Sequence, residues 1–282
     1  MSLNHHFVLL VALAAAGLTC GCDQSLSRLQ KAGVIRIGYA VEAPYALLKP
    51  GGEVTGESPE VARQIASQLG IRQVEWCQAE FGELISGLEA GRFDVIAAGM
   101  FITPERARRV AFSEPTFRVQ QALLVAKHNP QRLHSYPQAL VAGVKIATIS
   151  GSVEERQLRQ AGLPAGRLVL VPDALAGRVA VEAGVADGLA LSAPTIRWML
   201  LHDTSGKTEM AQPFEQAEAG ASKPLGFGAF AFRQSDHALR KAWNAALKTF
   251  VGSPEHRRLI AGFGFTASEL PGNITTAELL RP

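Results

Sequence analysis

Cysteine is scarce in this chain of 282 residues: Cys20, Cys22 and Cys77 are the whole set. With the first two close to the N-terminus, the rest of the chain holds one thiol, and an internal disulfide there is excluded. Cys77 follows Trp76 in the apolar run Val74 to Cys77 and reads as a packed thiol, without the His or acidic neighbour a nucleophile needs. Zinc-ligand spacing, a phosphate-binding glycine loop and a Gly-x-Ser-x-Gly elbow are all missing. His128, His134, His202, His237 and His256 are scattered, so neither a metal nor a cofactor is expected. Charge is modest too, 19% of residues with a net +3, and no Lys/Arg run interleaves with aromatics. That pattern excludes the electrostatic footprint of a nucleic-acid binder.

Long hydrophobic runs are equally few. Phe7 to Leu18 is apolar but short for a membrane span. It fits the hydrophobic region of an export signal, although Met1 to His6 contains no Lys or Arg. The segment ends in Leu18-Thr19-Cys20-Gly21-Cys22, which resembles a bacterial lipoprotein box. Cys22, after Gly21, is the expected lipidated residue, with Cys20 the alternative; an ordinary cleaved signal is the plainer reading. Asp23 directly after Cys22 implies retention at the inner membrane, so the expected location is the periplasm, on a lipid anchor.

What the chain does have is a globular composition, 47% hydrophobic, and enough length for two lobes. Val34 to Tyr39 reads as a first strand, Pro59 to Leu69 as a helix, Val74 to Cys77 as a strand and Phe81 to Ala90 as a helix. A similar series follows: strand Val144 to Ile149, helix Val153 to Ala161, strand Leu168 to Val171, helix Leu175 to Glu182, strand Gly188 to Leu191, helix Pro194 to Leu201. Alternation of this kind implies parallel sheets. Gly226 to Phe232 reads as one strand crossing back, and the helical tail, His237 to Val251 and Pro254 to Phe263, should rejoin the first lobe. The expected fold is therefore α/β, with residues 23–124 and 229–282 in lobe I and 125–228 in lobe II. Linking segments are expected near Leu123–Lys127 and Gly228–Phe232, with a ligand cleft where strand ends face each other.

The densest motif runs from Gly91 to Arg106. Val95 to Ala98 reads as a buried strand that breaks at Gly99, and Thr103 with Pro104 as the N-cap and first turn of a helix. Arg106 then lies beside backbone N–H groups that already favour an anion, which points to a carboxylate clamp. A surface arginine at a helix start is the bland alternative.

With these motifs the chain resembles the periplasmic solute-binding proteins that feed polar amino acids to ABC importers, the type II two-lobe binding fold. The segment Gly87 to Pro115, with Arg92-Phe93-Asp94 and Ala111-Phe112-Ser113, carries most of the likeness. It implies that Arg106 grips a ligand carboxylate. Glu42-Ala43-Pro44-Tyr45, Thr55 to Glu60, Ala97 to Ile102, Leu133 to Tyr136, Gly226 to Arg233 and Ile274 to Leu279 are similar to the ectoine/hydroxyectoine-binding members. That likeness implies an aromatic cage of Tyr45, Phe81 and Phe101 around a cyclic amidinium, with Glu42 as counter-charge. Tyr45 stands where Phe is expected, and Val41 where Asn is usual.

The residues support this independently. Amino-acid-binding members place an Asp at the strand end after Leu191, where it pairs with the ligand ammonium; here that place holds Ser192. A compact ammonium loses its ionic partner there, whereas a delocalised amidinium lies between aromatic faces worth roughly 0.5–2 kcal/mol each. Gly99 and Ser152 complete the expected site, Ser152 serving equally as a helix cap or a carboxylate contact. Phe112, Trp198 and Trp243 are expected in the core. The implied function is capture of an ectoine-like zwitterion by a monomer and delivery to an ABC permease, without covalent chemistry. A polar amino-acid receptor and a periplasmic cyclohexadienyl dehydratase are the alternatives. Ser192 argues against the first, and the second needs an acid/base pair of which only Glu42 is placed. A signalling input domain is not expected, as no kinase region follows.

Overall fold

Val34–Tyr39 alternates Ile35 and Ile37 into a buried face, and both are fully buried. In the computed structural model, which describes residues 23–216 and 226–281, this strand is second in a five-stranded sheet. It pairs in parallel with Gln73–Gln78 on one side and Val95–Ile96 on the other. Ala231–Arg233 and Val110–Phe112 complete the sheet, the former antiparallel to both its neighbours. One face packs on Val61, Ile65, Leu239 and Trp243, the other on Leu84, Ile85, Leu88 and Phe93. Asp94, buried at the start of the central strand Val95–Ile96, accepts from the Arg36 backbone and from the Arg36 and Arg233 guanidinium groups. The Arg92-Phe93-Asp94 motif is thus a packing device: Phe93 fills the core and Asp94 ties three elements together.

The second lobe repeats the plan. Leu168–Val171, Ile146–Ile149 and Gly188–Ser192 run in parallel, followed by Gln121–Ala126 and Thr208–Met210. Gln121–Ala126 is antiparallel to both its neighbours.

This pairing corrects the expected lobe boundary. Gln121 to Leu124 lie inside the second sheet, so a cut after residue 124 divides a strand. The connection lies earlier, where Phe117–Arg118 pairs antiparallel with Phe227–Gly228. The apolar stretch Gly226 to Phe232 is accordingly two strands, one in this two-stranded link and one in the first sheet. Gly228 shows why the link is tight: a Cβ there would lie 2.0 Å from the Phe117 ring. The tail helices His237–Phe250 and Pro254–Ala261 return to the first lobe, with Trp243 between Phe230 and Phe232. Phe112 and Trp243 are core, as expected, but Trp198 is only partly buried and stacks on His202 at 4.4 Å. Its helix, Ala193–Leu201, is buried at its first turn, Ala193 to Ile196. Cys77 is partly buried against the first core. The export segment and Cys22 lie outside the described residues.

Candidate functional site

Strand ends of both sheets face one another across the link, and the side chains that meet there come from short, well-signalled turns. Thr103 caps the helix Pro104–Ala107, its hydroxyl accepting from the Arg106 N–H at 3.2 Å, with Pro104 in the first turn. The cap places Arg106 over the cleft. Its Nη1 donates to the Phe101 carbonyl and its Nη2 to the Gly151 carbonyl of the other lobe, both at 2.9 Å. Two geometric demands bring Gly151 there: its φ is +78°, and a Cβ would meet Gly82 at 2.7 Å. Gly99 is similarly constrained: its φ is +62°, and a Cβ there would lie 2.5 Å from the Tyr45 ring.

All eight residues singled out from the sequence line one small cavity of about 20 Å³. Tyr45 and Phe101 are buried in an aromatic cluster that the sequence did not reveal in full. Tyr45 stacks on Phe117 at 5.0 Å and meets Phe265 edge-on at 5.7 Å, while Phe101 meets Phe117 at 6.3 Å. Phe81 lines the cavity and has a second contact. Its ring lies 5.4 Å from the Arg106 guanidinium, a cation–π contact that steadies the clamp. Ser152 caps Val153–Gln160, accepting from Glu155 N at 3.1 Å, and its hydroxyl also pairs with Thr148.

A hydrogen-bonded chain crosses the cleft. Tyr45 Oη donates to Ser192 Oγ at 2.9 Å, Ser192 Oγ lies 2.9 Å from Thr195 Oγ1, and Thr195 Oγ1 donates to Glu42 Oε1 at 2.8 Å. Tyr45 and Glu42 belong to the first lobe, Ser192 and Thr195 to the second. The Tyr45 hydroxyl, an oddity in the sequence, therefore forms a bond between lobes. Val41, the other departure, packs beside Tyr39, Ala46 and Val54. At the rim Arg156 reaches Glu105 across the cleft at 2.8 Å, and Arg197 reaches Glu269 at 2.8 Å. The lobes are closed on each other.

The electrostatics are those of a desolvated charged site. Burial pushes the Glu42 carboxyl up to about 7, and neighbouring Glu154 adds to this, against the Thr195 hydrogen bond and Arg106. Burial and Arg156 bring Arg106 down to about 10, so it stays a cation at neutral pH. Burial also raises Glu154, a residue of the cavity wall that sequence reasoning passed over. Thr195 was missed as well; a polar residue in the first turn of a mostly apolar helix was the available sign.

Two α/β lobes on a paired-strand link, meeting over a cavity with a guanidinium and a carboxylate, are the architecture of a small-molecule binding protein. The chain belongs to the bacterial extracellular solute-binding proteins, family 3, whose family model matches residues 35–265. It is 35% identical over 259 residues to a probable amino-acid ABC transporter periplasmic-binding protein of Sinorhizobium fredii, covering 90% of this chain and 85% of the relative. It is 25% identical over 228 residues to the L-arginine-binding protein of Pseudomonas aeruginosa, covering 80% of this chain and 85% of that protein. Among solved structures, EhuB in complex with hydroxyectoine superposes with a TM-score of 0.84 at 32% identity, covering 92% of this chain and 98% of EhuB.

Proposed function

We propose that this protein captures an ectoine-like zwitterion and hands it to an ABC permease of the inner membrane, as a periplasmic monomer anchored through Cys22. The observation that carries the reading is the arrangement of one cavity: Arg106 for a carboxylate, Glu42 for a cation, and the rings of Tyr45 and Phe101 beside them. A delocalised cation suits aromatic faces better than a compact, strongly hydrated ammonium does. The likeness to EhuB, whose structure holds hydroxyectoine, supports the same class. The names of the Sinorhizobium and Pseudomonas relatives favour a polar amino acid as the second reading.

Calorimetry separates the two. The purified protein is titrated with ectoine, hydroxyectoine, glutamine and arginine, with Phe101→Ala alongside. Ectoine or hydroxyectoine is expected to bind most tightly. Phe101→Ala is expected to weaken that binding by roughly tenfold or more, from loss of one cation–π face and its packing. Tight binding of glutamine or arginine with ectoine silent would transfer the protein to the amino-acid class.

A further inference from the structure

Ser192 leaves the second lobe without an acid at its strand end, yet the cavity has a second carboxylate from that lobe. Gly188–Ser192 and Ile146–Ile149 are neighbours in one sheet, so the helices that follow them start side by side. The second residue of the helix Val153–Gln160 is Glu154, which is buried and lines the same cavity as Glu42, Arg106 and Ser192. Its carboxylate accepts from its own backbone N–H and lies beside the Ser152 and Gln121 side chains, but the capping and turn bonds of this helix are made by its neighbours. Ser152 accepts from Glu155 N, and the Glu155 carboxylate accepts from Gly151 N and Arg159. Among the described residues no salt bridge reaches Glu154; the basic group that acts on it is Arg106, and Glu42 is close enough to feel its charge. The cavity therefore carries one guanidinium and two acids, one acid from each lobe.

We propose that Glu154 is a second cation-binding carboxylate, which together with Glu42 selects ligands whose cation offers N–H donors on two sides. An amidinium or a guanidinium satisfies both acids; a quaternary ammonium, with no N–H, satisfies neither by hydrogen bonding. The inference rests on the reading above in one respect, that Arg106 holds the ligand carboxylate. It also gives closure a chemical trigger, because a cation shared by Glu42 and Glu154 draws the lobes together.

Proton linkage follows. Glu42 faces Arg106, the Thr195 and Tyr45 hydroxyls and Glu154; Glu154 faces Arg106, Ser152, Gln121, Tyr136 and Glu42. Burial and mutual repulsion favour a proton on the pair in the free protein, and an incoming cation favours its loss. A ligand that displaces the proton binds more tightly as pH rises.

The test is calorimetry of the purified protein between pH 5.5 and 8.5 with ectoine, arginine and glycine betaine. Wild type is expected to bind ectoine or arginine about tenfold more tightly at pH 7.5 than at pH 5.5, and glycine betaine at least a hundredfold more weakly. Glu154→Gln is expected to lose roughly tenfold in affinity and to flatten the pH dependence, because Glu42 no longer has an acidic neighbour. Glu154→Asp should restore part of the slope, which a purely structural role would not do. Glu154→Gln binding with wild-type affinity and slope would overturn the inference and leave the Arg106 reading standing. A flat wild-type profile, or glycine betaine binding as well as ectoine, would overturn it even if the variants fail to fold. Failure of the wild type to bind any of the three would overturn both readings together.

Discussion

Arg106→Ala is expected to abolish ligand binding in calorimetry while the protein still melts cooperatively. The guanidinium stands in a desolvated cleft, fixed by the Phe101 and Gly151 carbonyls and by the Phe81 ring. In such a place, removing one partner of a hydrogen-bonded charge pair costs about 2–5 kcal/mol, roughly 30- to 5,000-fold in affinity. The loss falls at the upper end here, because Glu42 and Glu154 would face each other without their cation. Arg106→Lys keeps the charge but not the two-pronged geometry, and should recover only part of the affinity. Structural damage should be small, since the backbone is set by the Thr103 cap and Pro104 rather than by the side chain. Arg106→Ala that still binds ectoine within about threefold of wild type would remove the carboxylate clamp from the site.

The sequence marked this arginine because its signals are local. A β-run, a glycine with positive φ, a Thr-Pro helix start and an arginine three residues past the cap all lie within a dozen residues, and each constrains the next. Ser152 and the alternating helices and strands of the second lobe were legible for the same reason. Features defined by a distant partner were not. Gln121–Ala126 is an apolar run whose membership depends on Gly188–Ser192 and Thr208–Met210. The true link, Phe117–Arg118 with Phe227–Gly228, is two residues long on each side and has no pattern of its own.

Glu154 was hidden differently. Two acids at a helix start read as compensation of the helix dipole, and one of them, Glu155, does bond to the turn. Only the fold shows that its neighbour points inward. Phe81 adds a contact that only the fold shows: its ring lines the cavity and also lies against the Arg106 guanidinium.

Glu57→Gln is expected to raise the melting temperature at pH 8 by several degrees and to change it little at pH 5. Glu57 is fully buried at the start of the helix Glu57–Gln68. Its Oε2 accepts from Ser58 Oγ at 2.7 Å, and Ser58 Oγ in turn accepts from Gly99 N at 3.1 Å, which ties the residue to the floor of the site. Its other oxygen, Oε1, has no hydrogen-bond partner among the described residues. Burial pushes the carboxyl from 4.5 up to about 7, with the Ser58 hydroxyl opposing. Between those values the native chain holds a proton that the unfolded chain has released. Stability therefore falls as pH rises from about 4.5 to about 7 and is level above that. The charge at pH 8 costs on the order of 2–3 kcal/mol, which glutamine avoids while keeping an acceptor for Ser58. At about 2–4 °C per kcal/mol for a chain of this size, the difference is well resolved by thermal melts across pH. Glu42 and Glu154 titrate in the same direction, so the comparison is between variant and wild type at each pH rather than along one profile. A variant less stable than wild type at every pH would mean that the helix dipole and the Ser58 bond outweigh the burial of the charge.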